Sequence, residues 1–94
     1  MGGTISTNII NEGGEPKIEV NYCEVCGTVR SARYAIEHIL KEFPNAQVDP
    51  TEVGTGTLDV YVNDTRVHSK HHGDGLIEEH NLTAFMDKVR AAAK

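Results

Sequence analysis

Lys17-Ile18-Glu19-Val20-Asn21-Tyr22-Cys23-Glu24-Val25-Cys26-Gly27-Thr28-Val29 is the stretch on which the reading of this chain turns. Up to Tyr22 the apolar residues Ile18, Val20 and Tyr22 alternate with Lys17, Glu19 and Asn21, the period-two pattern of a strand with one buried face. After Gly27 the period lengthens. Val29, Ala32, Ile36, Ile39, Leu40 and Phe43 follow at spacings of three and four and trace one face of an amphipathic helix. Both cysteines of the chain, Cys23 and Cys26, stand where the strand pattern gives way to the helix pattern.

Working outward, Pro44-Asn45 stops the helix, because proline cannot continue it and disfavours helical geometry just before itself. A short strand is expected over residues 46–48, followed by a glycine-containing loop over 51–57. The clearest strand comes next, with Leu58, Val60 and Val62 alternating with Asp59 and Tyr61. Asn63-Asp64 then turns the chain into a return strand over 66–69 with Val67 inward, a two-residue hairpin without the glycine such turns prefer. After a polar loop over 70–75, Leu82, Phe85, Met86, Val89 and Ala93 define the apolar face of a last helix. Residues 1–15 carry four glycines and no sustained period, so they are read as a flexible arm preceding a single domain over 16–94. The order β-α-β-β-β-α predicts an α/β fold with a mixed sheet of about four strands and two covering helices, the first helix crossing between parallel strands.

Ninety-four residues suffice for one small core. A formal charge of -5, from 9 basic and 14 acidic residues, argues against nucleic acid, which requires clustered cations. The most basic stretch, residues 66–72, holds only Arg66 and Lys70 as permanent charges and reads as a solvated loop. No window approaches the roughly 20 apolar residues of a membrane span, and the first residues lack a signal-peptide layout, so a cytoplasmic location is expected. Asn63-Asp64-Thr65 and Asn81-Leu82-Thr83 are then accidental sequons.

In a reducing compartment a lone C-x-x-C is a redox or metal motif sooner than a structural staple. A cysteine at a helix start has its thiolate stabilised by unpaired N–H groups and the helix dipole. Arg30 would add positive potential and Glu24 would oppose it. Gly27 lets the backbone turn closely behind the pair. The redox chemistry is attack of one thiolate on a partner disulfide, then release by the other cysteine. A zinc site would instead draw on His68, His71, His72 and His80, but their spacing from Cys26 fits no compact finger, and no metal site is assigned. Gly54-Thr55-Gly56 and Gly73-Asp74-Gly75 match no phosphate-binding motif and are explained by turn chemistry.

Tyr22-Cys23-Glu24-Val25-Cys26-Gly27, Thr55-Gly56-Thr57-Leu58-Asp59-Val60 and His68-Ser69-Lys70 with Gly73-Asp74-Gly75, in this order, resemble the selenoprotein W-like (Rdx) family from about Lys17 onward. The resemblance implies a thioredoxin-like fold and a thiol redox role in redox defence or signalling. It names Cys23 and Cys26 as catalytic residues, and Gly27, Thr55, Gly56 and Thr57 as binding residues. It implies no bound cofactor, with glutathione or protein thiols and disulfides as partners, and a protein partner at the C-x-x-C loop as the alternative role. Selenium in selenocysteine-containing members falls on the position of Cys26, whereas the habit of thioredoxins makes Cys23 the attacker. Where thioredoxins place a cis-proline, this chain has residues 54–57.

Overall fold

A computed structural model describes residues 9–24 and 27–94. Its strands β1 (Lys17–Tyr22), β2 (Gln47–Glu52), β3 (Leu58–Val62) and β4 (Thr65–Ser69) form one sheet in the order β2-β1-β3-β4. The helices are α1 (Thr28–Glu42) and α2 (Leu82–Ala93). The pairing of β1 with β2 is parallel, as a helical crossover allows, and the other two pairings are antiparallel. This is the expected α/β arrangement, a thioredoxin-like fold with a mixed four-stranded sheet and two helices.

Alternation places Ile18, Val20 and Tyr22 of β1 and Leu58, Val60 and Val62 of β3 in one core, all 2% exposed or less. Val29, Ala32, Ala35, Ile36 and Ile39 of α1 and Phe85, Met86 and Val89 of α2 join the same cluster. Lys17, Glu19, Asn21, Asp59 and Tyr61, which alternate with the inward set, are exposed or half-buried. Each fully buried Val, Leu or Ile contributes about 1.5 to 3 kcal/mol relative to exposure, so these stripes dominate the stability of the fold.

Three details depart from the sequence expectation. Strand β2 runs over Gln47–Glu52 instead of 46–48, taking in Pro50 and the first residues of the expected loop. Proline is tolerated there because β2 lies at the sheet edge, where a residue needs ladder bonds on one side only. The β3–β4 register shifts between Val60 and Tyr61 of β3, leaving Val67 of β4 out of the pairing, so Val67, His68 and Ser69 are all buried and alternation is lost. The polar stretch before α2 holds short 3-10 turns at Lys70–His72 and Glu79–Asn81, and between them Ile77 is buried to 1% exposure.

Within the expected arm, residues 9–15 are tied down. Ile10 exchanges two backbone hydrogen bonds with Val48, of 2.8 and 2.9 Å, and covers part of the β2 edge. The Asn11 amide donates to the carbonyls of Pro44 and Ala46, and the Gly13 N–H donates to Gln47 Oε1 at 2.7 Å. Any side chain at Gly14 would put its Cβ 1.9 Å from the Asn45 carbonyl oxygen, so only glycine passes here.

Candidate functional site

The end of β1 carries Cys23 out of the strand and straight into the core, where it is 0% exposed. Glu24 after it is exposed, and so is Gly27. Cys26, the other half of the expected pair, lies outside the described residues.

Gly27 precedes the first turn of α1 with φ 80°, a left-handed conformation, and a Cβ there would meet nothing within 4 Å. Backbone geometry, not crowding, calls for glycine. Among the described residues no side chain caps the start of α1 and no acid lies in its first turn. Its N-terminal N–H groups present the positive end of the helix dipole on the side where the chain arrives from β1.

Thr28, the first residue of α1, was not singled out in the sequence, yet it organises the site. Its hydroxyl oxygen accepts the Cys23 N–H at 2.7 Å. The hydroxyl proton is shared between the carbonyls of Cys23, at 3.0 Å, and Thr57, at 2.9 Å. A hydroxyl residue directly after a helix-opening glycine is the one signal that could have pointed to it.

The segment 54–57 is thereby brought against the cysteine turn. Gly54, Thr55 and Gly56 have φ of 77°, 57° and 68°, and the Thr57 N–H closes the turn on the Gly54 carbonyl at 3.2 Å. Thr55 Oγ1 donates to its neighbour's carbonyl on Gly54 at 2.7 Å and lies 3.0 Å from Thr57 Oγ1. The Nε2–H of His71 donates to the Thr55 carbonyl at 3.1 Å. Of the expected binding residues, Thr57 is thus linked to Cys23 through Thr28, Thr55 and Gly56 form the adjoining turn, and Gly27 lies on the other side of Thr28.

Electrostatically the site is mixed. Burial pushes the Tyr22 hydroxyl above its ordinary value, and the carboxylates of Glu24 and Glu52 push it further the same way. Those two acids oppose a thiolate at the β1 end, while the α1 N-terminus favours one. Arg30 makes no ion pair among the described residues. It lines a groove of about 630 Å³ with Gly27, Tyr34, Leu76, Ile77 and Glu78.

The four histidines considered for zinc have separate partners. His68 is buried, donates from Nε2 to the Gly75 carbonyl at 2.8 Å and meets Phe85 edge-on. His72 Nδ1 lies 2.9 Å from Ser69 Oγ, His71 bonds Thr55, and His80 lies 3.4 Å from Glu78. Among the described residues no group of His, Cys, Asp and Glu is arranged to hold a metal ion. No helix among them is long and apolar enough to cross a membrane.

A thioredoxin-like sheet with a cysteine at the β1–α1 junction, faced by the loop that opens β3, defines a class of small α/β thiol proteins. The Rdx family profile matches residues 17–88, and the chain belongs to that redox-related, selenoprotein W-like family. It is 32% identical over 77 residues to human selenoprotein V, a match covering 77% of this chain but only 22% of that protein. To mouse migration and invasion enhancer 1 it is 26% identical over 84 residues, covering 89% of this chain and 70% of the relative. In structure it resembles a selenoprotein W-related protein from Vibrio cholerae, with TM-score 0.68 and 19% identity, over 83% of this chain and 96% of that one. A Bordetella parapertussis protein superimposes with TM-score 0.65 at 22% identity, over 81% and 95% of the two chains.

Proposed function

We propose that this protein is a cytoplasmic thiol-disulfide redox protein in which Cys23 and Cys26 are the working pair, coupled to glutathione or protein thiols in redox defence or signalling. The observation that supports this reading best is the complete burial of Cys23 beside the start of α1, to whose first residue its N–H is bonded. A thiol with no exposed surface cannot meet a substrate disulfide, so the attacking role falls to Cys26 and the resolving role to Cys23. The Cys26 thiolate attacks one sulfur of a substrate disulfide, forming a mixed disulfide and releasing the other sulfur as a thiolate. Cys23, deprotonated, then attacks the Cys26 sulfur and releases the second substrate thiolate. The substrate disulfide gains two electrons and becomes two thiols, and the protein loses those two electrons as its dithiol becomes a disulfide. Two glutathione molecules restore the dithiol and leave as glutathione disulfide.

Trapping with single variants tests the assignment. Cys23→Ser should accumulate mixed disulfides through Cys26, and Cys26→Ser should not. A pair that stays reduced across glutathione potentials, with no adduct in either variant, would refute the redox reading. The groove beside Gly27, with Arg30 and the half-buried Tyr34 and Leu76, favours a second reading as a protein-interaction module. Partners retained by a Cys23→Ser, Cys26→Ser double variant would support that reading, and partners lost would support redox capture.

A further inference from the structure

We infer that Thr28 is the positioning residue of the thiol pair: its hydroxyl fixes the Cys23 backbone against the 54–57 loop and so sets how readily the Cys23–Cys26 disulfide closes. The inference rests on the redox reading above and adds a residue to it. Thr28 is 0% exposed, and its hydroxyl bonds backwards over the cysteine turn, not into α1. A hydroxyl has one proton and two lone pairs. Here the oxygen accepts the Cys23 N–H, and the proton serves the Cys23 and Thr57 carbonyls. Among the described residues, every hydrogen bond of this hydroxyl is directed at Cys23 or at the loop facing it. Packing alone would be satisfied by valine, which has the same shape and no hydroxyl.

The chemical consequence concerns closure. Forming the disulfide removes two protons and two electrons from the dithiol and passes the electrons to an oxidant such as glutathione disulfide, which becomes two glutathione thiols. Closure also requires the two sulfurs to meet in a narrow geometry. Holding the Cys23 backbone in place raises the effective concentration of one thiol at the other, as any pre-organised intramolecular reaction does. Losing the clamp should favour the open dithiol and make the reduction potential less negative.

The test compares reduction potentials of wild type, Thr28→Val and Thr28→Ser, equilibrated in glutathione buffers and read by thiol trapping. A fall of about tenfold in the closure constant is expected for Thr28→Val, equivalent to a rise of about 30 mV. Thr28→Ser, which keeps the hydroxyl, should retain the wild-type potential. Circular dichroism of each variant separates loss of fold from loss of positioning. Should Thr28→Val not fold, Thr28→Ala, which leaves room for water at the Cys23 N–H, replaces it in the comparison. An unchanged potential without the hydroxyl, or a serine variant shifted as far as the valine variant, would overturn the inference while leaving the redox reading intact. Absence of any two-electron transition in the wild type would overturn both.

Discussion

Ile77 sits in a segment without regular structure between β4 and α2, yet it is 1% exposed and belongs to the central apolar cluster. Ile77→Ala removes every side-chain carbon beyond Cβ. At about 0.8 kcal/mol per buried methylene, the transfer loss is about 2.5 kcal/mol. A residual cavity in the core cluster raises the total to about 3 to 4 kcal/mol, within the range seen for such truncations. A domain of this length is stable by roughly 5 to 14 kcal/mol, so the variant should fold but lose a large share of its margin. Its Tm should fall by roughly 12 to 30 °C. Urea unfolding followed by far-UV circular dichroism measures the loss, with an unchanged slope showing that the same surface is exposed on unfolding. Ile77→Val, with one methylene less, should cost about 1 kcal/mol. A loss below 1 kcal/mol for the alanine variant would mean that residues 73–78 lie against the core without contributing to it. The same segment supplies Leu76, Ile77 and Glu78 to the groove beside Gly27, so the experiment also measures how firmly that wall is held.

At the β3–β4 turn Asn63 and Asp64 have φ of 49° and 70°, and Asp64→Gly should stabilise by about 1 kcal/mol in urea unfolding, since glycine alone adopts this region without cost. Thr55 is a β-branched residue at φ 57°, and Thr55→Gly should not lower the urea midpoint but should slow thiol exchange if the loop shapes the site. A lower midpoint with unchanged exchange would contradict both halves of that expectation. The Ser69 N–H, followed by the charges of Lys88, His68 and Arg66, holds the Asp74 carboxyl below its usual range. Its folded value is the lower one, so its contribution is present above about pH 4 and is lost as pH falls through the depressed value. Asp74→Asn should therefore flatten the acid limb of the stability curve. Glu42 is lowered chiefly by its hydrogen bonds to Arg90, an exposed pair across the two helices. Glu42→Gln should flatten the same limb, and added salt should weaken this effect more than that of Asp74.

Elements with a clean apolar period were legible from the sequence. β1, α1, β3 and α2 each commit one stripe to the same core, and their expected inward residues are the buried or partly buried ones. Strand β2 was half hidden because Asp49, Pro50 and Glu52 spoil the strand signature, and what makes them acceptable is position at the edge, which no local pattern records. Ile77 carries no period at all, and its burial follows from tertiary closure of a polar loop. At the site, the junction of strand and helix was readable, but the burial of Cys23 was not. Whether a strand-end thiol turns inward depends on where the helix and the neighbouring loop sit, and that is settled by Thr28 bonding across to Thr57.

Strand order explains why that loop is there. Tyr22, the last residue of β1, pairs with Glu52, the last of β2, and with Leu58, the first of β3. Because β2 and β3 flank β1, the connection over residues 53–57 must cross the end of β1, directly above the point where Cys23 leaves the strand. The crossing spans two inter-strand spacings, roughly 9.5 Å, which five residues cover with little slack once the chain also turns back. Three successive left-handed residues, Gly54, Thr55 and Gly56, make the reversal, and the Val53 N–H anchors its start on the Tyr22 carbonyl at 2.8 Å. A residue inserted into this loop should therefore act first on the Thr28–Thr57 bond and on the burial of Cys23, and only secondarily on the sheet. The order β2-β1-β3-β4 thus does more than build a core: it obliges one loop to cover the cysteine, so that loop sequence, Thr28 and the thiol form a single device.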